Sequence, residues 1–324
     1  MPKIDPIEQA LDRLSALKSL TIDPAILDEL RAFLRNRSNL VVAKAAKIVG
    51  QRHLTDLLAD LVAAFHKLMA DAPRLDKRCA AVTEIVTALY EMDYSEPDVY
   101  RQGLRHVQME PSFGLPVDAA AHLRGLCATG LVRTRDRDAM ADVVALLVDP
   151  EPPARIGAVR ALATNGGDAG ALALRLKVLT GDREPEVLAE CFSGLLTSPS
   201  ESVTNFVARY ADSEDAAIAE AAILALGSSR SPQAFHVLKK KWDSTRGGPL
   251  KKVLLLALST SRNEEALNFL LGLLETAPLS VAAEVLAALA AQRPSESIRA
   301  TIHSALNRRA DRSLLESFRR DLPS

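Results

Sequence analysis

Aromatic residues, cysteines and long apolar runs are all scarce in this chain of 324 residues. Aromatic side chains make up 4% of it, which argues against β-sandwiches and barrels, because strands favour aromatic and β-branched residues. The three cysteines form no CxxC pair, so we expect neither a disulfide framework nor a zinc site, and we expect a reducing compartment. No run approaches the roughly 18 uninterrupted apolar residues of a membrane span. We therefore expect a cytoplasmic protein without membrane association.

An excess of charge of one sign is also missing. The chain has 40 Lys and Arg against 41 Asp and Glu, a net charge of −1. This balance argues against general adhesion to nucleic acid, so we expect no nucleic-acid partner. Hydrophobic residues reach 48%, which is too much for an intrinsically disordered chain. Most of them are aliphatic, and alanine and leucine dominate.

What the sequence does have is an internal repeat. Leucines that end similar segments recur every 31 to 33 residues, at what we call the anchor position: Leu162, Leu195, Leu226, Leu258 and Leu289. Leu126, Leu89 and Val49 continue the series towards the N-terminus at longer spacings. A second stretch with helical periodicity lies between successive anchors, and cap residues followed by proline mark helix starts. The pattern predicts an all-α fold, an α-solenoid of about eight helix pairs with flanking capping helices and no strands.

The regularity of the repeat predicts three parts of the chain. Residues 1–133 form divergent N-terminal helical repeats and a cap, residues 134–293 form regular repeats, and residues 294–324 form C-terminal capping helices. A helix pair cannot bury its apolar face alone, so stacked neighbours share a continuous core. We expect 17 to 19 helices in total, with the anchors buried at equivalent positions.

The segment from Asp149 to Leu162 resembles the HEAT repeat in its short bacterial, PBS-lyase-like form. It carries Asp149 followed by Pro150, then Arg155, and Ala225-Leu226-Gly227 matches the end of that repeat. The resemblance is strongest over residues 149–293. It implies a solenoid whose second helices line a concave groove, and a scaffold that binds partners. A few members of the family act on chromophores or DNA.

Two sets of cations are candidates for partner binding. The first is a basic ladder in the N-terminal half of the groove, with three members two residues before an anchor: Lys44, Lys47, Arg124 and Arg160. A line of cations suits an acidic segment of a protein partner. The alternative interpretation is that each cation pairs with a local acid, such as Glu84 or Asp118. Further along the chain the same ladder turns apolar, and we expect Leu224, Val253 and Leu256 to be core residues.

The second set is a secondary basic patch: Lys239, Lys240, Lys241, Lys251 and Lys252. It belongs to residues 228–262, which carry a net charge of +7 and follow residues 182–220 with −7. Arg230, Arg246 and Arg262 complete the basic set. Adjacent segments of opposite sign leave head-to-tail self-association open as an alternative to a solvated surface.

Nothing in the sequence predicts catalysis, a metal site or a cofactor. The six histidines fall in different repeats without HExxH spacing, and the cysteines occupy positions where other repeats have small apolar residues. We therefore expect a non-enzymatic scaffold that binds a protein partner in its groove. The alternatives are a nucleic-acid-associated HEAT-like protein of the DNA-repair type and a chromophore-lyase-like accessory protein.

Overall fold

The computed structural model describes residues 5–229, 231–261 and 263–322, and these residues form an all-α fold, as predicted. Arg230 and Arg262 lie outside them. In the first half of the chain the helices are α1 (Pro6–Leu17), α2 (Pro24–Leu34), α3 (Asn39–Gln51), α4 (Leu58–Met69), α5 (Ala72–Leu75), α6 (Ala80–Glu91), α7 (Pro97–Leu104), α8 (Ala121–Arg133), α9 (Ala139–Ala145) and α10 (Pro152–Asn165). In the second half they are α11 (Gly167–Thr180), α12 (Pro185–Leu195), α13 (Glu201–Ala208), α14 (Ala216–Ser228), α15 (Pro232–Ser244), α16 (Pro249–Thr260), α17 (Glu264–Thr276), α18 (Leu279–Ala291), α19 (Glu296–Arg309) and α20 (Arg312–Asp321).

The chain forms two compact units, one ending at Leu174 and the other beginning at Arg175. In the first unit α3, α6, α8 and α10 pack side by side in that order, and in the second α12, α14, α16 and α18 do the same. The helix that precedes an anchor helix also packs on it, as α7 does on α8 and α17 on α18. Each unit is therefore a stack of helix pairs, the packing of an α-solenoid. The boundaries after residues 133 and 293 concern repeat regularity and stay a prediction.

The anchor residues are buried at equivalent places in these helices, with one exception. Those exposed by 4% or less are Val49, Leu89, Leu162, Leu195, Leu226, Leu258 and Leu289. Leu126, in contrast, is only half-buried, whereas Leu131 in the same helix is fully buried. Leu131 precedes Leu162 by 31 residues, the regular spacing. The alignment of this repeat on Leu126 is therefore wrong by five residues.

Two local features of the backbone place the anchor at Leu131 independently. In five repeats, the residue thirteen positions before the anchor forms an Asx or Ser turn: its side-chain oxygen accepts a hydrogen bond from the backbone N–H two residues further along, at 2.9–3.2 Å. These turn residues are Asn36, Asp118, Asp149, Asp182 and Ser213. Four residues after the anchor, a residue other than glycine has positive φ: His53, Asp93, Arg135 and Arg293. Asp118 lies thirteen residues before Leu131, and Arg135 lies four residues after it. Neither spacing holds when it is counted from Leu126.

A short hairpin explains why this repeat was misaligned. Strands β1 (Met109–Glu110) and β2 (Val117–Asp118) are inserted between α7 and α8. The insertion lengthens the repeat to 42 residues between Leu89 and Leu131. Two steps of similar length between Leu89 and Leu162, 37 and 36 residues, therefore placed the anchor too early. The predictions of no strands and of 17 to 19 helices are thus wrong, because the described residues contain one hairpin and twenty α-helices.

The apolar end of the predicted ladder is not entirely core. Leu256 on α16 is 37% exposed, and Leu224 and Val253 are half-buried. Helix α16 packs against α14, α15, α17 and α18, and these neighbours leave part of its circumference uncovered. The expectation that all three residues are core is therefore wrong for Leu256.

Candidate functional site

The hairpin, residues 107–118, presents its apolar side chains to solvent. Met109 pairs with Asp118 and Glu110 with Val117 in antiparallel register. Val107, Met109 and Val117 are 52–58% exposed, whereas Gln108 is buried. A half-buried antiparallel strand usually turns its apolar residues inward and its polar residues outward. Strand β1 has the opposite orientation, whereas Val117 in β2 lies on the same face as its partner Glu110.

The tip of the hairpin continues this apolar surface. Phe113 and Leu115 are 113% and 86% exposed, which means that almost no other part of the chain touches their side chains. Pro111 and Pro116 flank the tip, and their fixed φ angles restrict the conformations of the six-residue loop. The tip therefore projects two large apolar side chains from a constrained loop.

Polar groups hold the inner face of the hairpin against the helices. The Gln108 side-chain amide donates to the Asp76 carbonyl at 2.9 Å and to Glu110 Oε1 at 2.6 Å. The Arg78 backbone N–H also donates to Glu110 Oε1, at 2.6 Å. That hydrogen bond is the main reason why the pKa of Glu110 lies below its ordinary value. The buried Gln108 amide thus has hydrogen-bond partners, as buried polar groups require.

Asp76, which lies under the hairpin, is a buried carboxylate held mainly by N–H groups. Its oxygens accept from the Ala81 and Val82 backbone N–H at 2.9 and 2.8 Å and from the Asn39 amide at 2.9 Å. This carboxylate therefore caps the start of α6. The same segment includes Arg78 and Cys79, two consecutive residues with positive φ, a backbone conformation that costs energy for residues other than glycine. The turn that supports the hairpin is thus fixed by several independent contacts.

Arg124 joins the hairpin to the next repeat. Its Nη1 donates to Asp118 Oδ2 at 2.6 Å and to the His106 carbonyl at 2.9 Å, at the base of the hairpin. Its Nε and Nη2 donate to the two carboxylate oxygens of Asp149 at 2.9 and 2.8 Å. The bidentate pairing leaves the Arg124 side chain 4% exposed, and the Asp118 side chain 5% exposed.

The prediction that Arg124 belongs to an exposed basic ladder is therefore wrong. Buried and paired with two carboxylates, it cannot contact a partner without breaking that network. In the corrected register Arg124 is equivalent to Arg155, which donates to the Asp149 and Pro150 carbonyls at 2.8 and 3.0 Å. The alternative interpretation, that the cation pairs with Asp118, is the one the structure supports.

The protonation of this network favours its charged form. Burial alone would lower the pKa of Arg124, but the hydrogen bonds to Asp149 and Asp118 outweigh it and raise the pKa. Burial likewise opposes ionisation of Asp118, yet hydrogen bonds from the Gln108 and Ala120 N–H groups and from Arg124 bring its pKa below the ordinary value. A buried ion pair of this kind resists the loss of either partner, because the remaining charge would be unpaired.

The other ladder residues lie closer to the surface. The Lys44 ammonium donates to the Leu11 carbonyl and to Ser15 Oγ, at 2.7 and 2.5 Å. Lys47 is exposed and lies 3.7 Å from Glu84, and Arg160 is exposed at the same repeat position. In the corrected register, Arg124 no longer occupies the position two residues before an anchor. The residues at that position in the repeats between Lys47 and Arg160 are Thr87 and Thr129. Two repeats with an uncharged threonine at this position thus separate the two exposed cations.

Local contacts also involve most of the secondary basic patch. Lys239 pairs with Asp243 at 2.7 Å, Lys252 lies 3.6 Å from Glu284, and Lys241 pairs with Asp212. The Lys251 ammonium lies 4.1 Å from the centre of the Trp242 ring. Lys240 is exposed and lines a small surface cleft with Arg209. Trp242 is 6% exposed, so its ring is not available for stacking on a base.

The three cysteines are buried, as expected for packing residues. Burial raises the pKa of Cys79 and Cys191 to about 12 and raises that of Cys127 as well. Since the thiolate is the nucleophilic form, these thiols are far from the state that nucleophilic catalysis needs. Among the described residues, no group of three or more His, Cys, Asp or Glu is placed to hold a metal ion. In the same part of the chain, no helix has both the length and the hydropathy to cross a membrane.

Comparison with known proteins adds little to this description. No protein-family model and no curated protein sequence matches the chain. Among solved structures, the complex of CpcE and CpcF of phycocyanin lyase from Nostoc sp. PCC7120 contains a similar chain, at 14% identity. The match covers 90% of this chain and 96% of that chain with a TM-score of 0.37.

Proposed function

We propose that this chain is a non-enzymatic scaffold that binds a protein partner, and that the outer face of the hairpin is the contact surface. The exposure of the hairpin carries the proposal: hydrogen bonds fix Gln108 and Glu110 of β1, whereas the apolar side chains of both strands and of the tip face solvent. Soluble monomers rarely expose large contiguous apolar patches, and such patches mark interaction sites. A HEAT-like architecture, in which stacked repeats present inserted segments, suits this role.

The residue types of the hairpin support a protein partner. Phenylalanine and methionine are enriched at the centres of protein interfaces, and the hairpin offers Phe113 and Met109 beside Leu115. The two prolines and the inner-face hydrogen bonds restrict the loop before binding, so less conformational entropy is lost when a partner covers it. The buried Arg124 network contributes by holding the hairpin base in one position.

The proposal also includes an acidic stretch of the same partner, which binds to the exposed cations of the ladder. Lys47 and Arg160 project from equivalent repeat positions and would act mainly on the rate of association. Neither the DNA-repair type of function nor the chromophore-lyase type has a specific observation in its favour among the described residues. The burial of Trp242 argues against base stacking at the secondary basic patch.

The proposal is tested by comparing partner binding of the wild type and the double variant Phe113→Ser/Leu115→Ser. Proteins from the source cells that copurify with the wild type are identified, purified and measured directly for binding to both forms. We expect the double variant to bind at least roughly thirtyfold more weakly, the effect of losing a central interface residue. Its melting temperature should be unchanged, because both side chains are exposed.

A matched control replaces isolated exposed leucines elsewhere. The variant Leu40→Ser/Leu279→Ser removes two side chains that are 54% and 47% exposed and that lie outside the hairpin, on α3 and α18. It should bind the partner as the wild type does. Equal binding by the wild type and the hairpin variant would show that the hairpin is not the contact surface.

A further inference from the structure

The second unit contains an open cavity with an apolar floor. It has a volume of about 490 Å³ and lies between the ends of α16 and α18 and the beginnings of α17 and α19. The apolar residues that line it are Leu258, Leu267, Leu270, Leu289, Pro294 and Ile298. A volume of a few hundred Å³ is the usual size of a cavity that encloses a small ligand or a pair of side chains.

The rim of this cavity is polar and partly acidic. Ser259, Asn263 and Glu264 line one side, and Gln292, Arg293 and Ser295 line the other. Glu265 follows Glu264 in the first turn of α17, and both side chains are exposed. An apolar floor with a polar rim is the arrangement of an interface pocket that receives a protruding apolar side chain.

The hairpin in the first unit has the complementary properties. Phe113 and Leu115 form its apolar projection, and two exposed cations, Lys77 and Arg78, lie beside its base. The Arg78 backbone contacts Glu110 directly, and both cations lower the pKa of that carboxyl. The chain thus carries an apolar projection beside two cations and one acid, and an apolar cavity whose surroundings carry two acids and the single cation Arg293.

We propose that the hairpin of one copy of this chain inserts Phe113 and Leu115 into the cavity of a second copy. The inference rests on the proposed function, since it takes the hairpin as a protein contact, and it adds the identity of the partner. Lys77 and Arg78 face Glu264 and Glu265 of the second copy in this contact. The two surfaces are different, so each copy retains one free hairpin or one free cavity, and association continues until a ring closes or a filament forms.

The test measures the mass of the purified chain by analytical ultracentrifugation over a wide range of concentration. The wild type should increase in average mass with concentration. The hairpin variant Phe113→Ser/Leu115→Ser and the cavity variant Leu267→Trp should each remain monomeric when measured alone. Melting temperatures close to that of the wild type establish that both variants fold.

Mixing the two variants gives the decisive measurement. The hairpin variant keeps an intact cavity and the cavity variant keeps an intact hairpin, so an equimolar mixture should form dimers and nothing larger. A wild type that stays monomeric at every concentration would overturn the inference, and so would a mixture that stays monomeric while the wild type associates.

A charge exchange tests the predicted pairing without changing the apolar side chains. The variant Lys77→Glu/Arg78→Glu should associate at least about tenfold more weakly than the wild type at low salt. Combining it with Glu264→Lys/Glu265→Lys should restore most of the association. If the combined variant associates no better than the first one, the cations and acids do not face each other and the proposed contact is wrong.

The same samples separate this inference from the proposed function. A monomeric wild type that still binds another protein through Phe113 and Leu115 would overturn the second copy as partner and leave the scaffold function standing. A monomeric wild type that binds vesicles of phosphatidylserine and phosphatidylcholine through the hairpin, and binds no protein, would overturn both. Association through the hairpin that Leu267→Trp does not weaken would assign the contact to another surface and overturn the cavity.

Discussion

Arg124 is the residue at which the hairpin and two neighbouring repeats meet. Its three nitrogens donate to Asp118 and the His106 carbonyl on one side and to Asp149 on the other. From the sequence alone the residue was placed on an exposed ladder, because an arginine among small residues has no packing role to explain it. Asp118 lies only six residues away and is the local acid that the sequence offers as an alternative partner. Asp149 lies 25 residues further along the chain, and spacing alone does not reveal that contact.

Replacing Arg124 by leucine should lower the free energy of unfolding by about 3–5 kcal/mol, because Asp118 and Asp149 would remain buried without their cation. Urea denaturation followed by circular dichroism measures this difference. Arg160→Leu is the control, since Arg160 is exposed at the position where Arg124 was first aligned. It should change the free energy of unfolding by no more than about 0.5 kcal/mol. Similar losses in both variants would contradict the structural role assigned to Arg124.

The pH dependence of stability should report on Asp118. Its pKa is lower in the folded chain than the ordinary value, so the folded state binds protons less readily than the unfolded state. The stabilisation is therefore present above the unfolded pKa of about 3.9 and is lost as pH falls through the folded pKa. The difference in unfolding free energy between the wild type and Asp118→Asn should be largest near neutral pH and should shrink below about pH 4. A difference that does not change with pH would contradict the assignment.

At the scale of helices and turns, the repeat predicted most of the structure. The leucines of the regular repeats are buried because a helix pair must share its apolar face with its neighbours, and this requirement imposes a fixed spacing. The failure at Leu126 has an equally local cause. An insertion between α7 and α8 changed the spacing without changing the helix. The turn residue Asp118 and the later left-handed residue Arg135 mark the register, but their geometry becomes evident only in the folded backbone.

The corrected register makes a prediction about two leucines of α8. Leu131→Ala should cost about 2–5 kcal/mol of unfolding free energy, as truncation of a fully buried leucine does. Leu126→Ala should cost clearly less, because its side chain is only half-buried. Chemical denaturation of the two variants under the same conditions gives the comparison. A larger loss for Leu126→Ala would restore the original alignment.

The sequence pattern of the hairpin's first strand does not predict which of its faces is exposed. Val107, Gln108, Met109 and Glu110 alternate between apolar and polar, which is typical of a strand. The usual rule would have turned the apolar residues towards the helices. The structure reverses it because the turn before α6 offers the Asp76 carbonyl to Gln108 and the Arg78 N–H to Glu110. The alternation could have revealed the strand, but not which face was exposed.

For the whole molecule, the fold follows from the repeat, whereas the binding surface that we propose does not. Stacking depends on a pattern that recurs, and the recurrence is visible in the sequence. The hairpin and the cavity each occur at one place, and their exposure depends on which groups the assembled helices cover. The surfaces that we propose as contacts come together only after folding, so the spacing of residues in the sequence did not point to them.

The exposed cations of the ladder should act on association and not on stability. In the variant Lys47→Glu/Arg160→Glu, the unfolding free energy should fall by at most about 1 kcal/mol, as for surface ion pairs. The association rate with an acidic partner should fall at low salt and recover as salt screens the charges over a Debye length of about 8–10 Å. Stopped-flow binding at several ionic strengths measures the rate. A loss of stability without a change in rate would give these cations a structural role only.

The outward tip of the hairpin also has a consequence for limited proteolysis. Chymotrypsin cleaves after large aromatic residues, and Phe113 stands almost free of other contacts in the kind of exposed loop tip where nicking occurs first. Brief digestion should therefore cut the chain here before any helix is cleaved. The two fragments should stay together under native conditions, because Arg124 and the inner-face hydrogen bonds hold the base of the hairpin on both sides of the cut. Whatever covers the tip in the cell would also protect it from the protease.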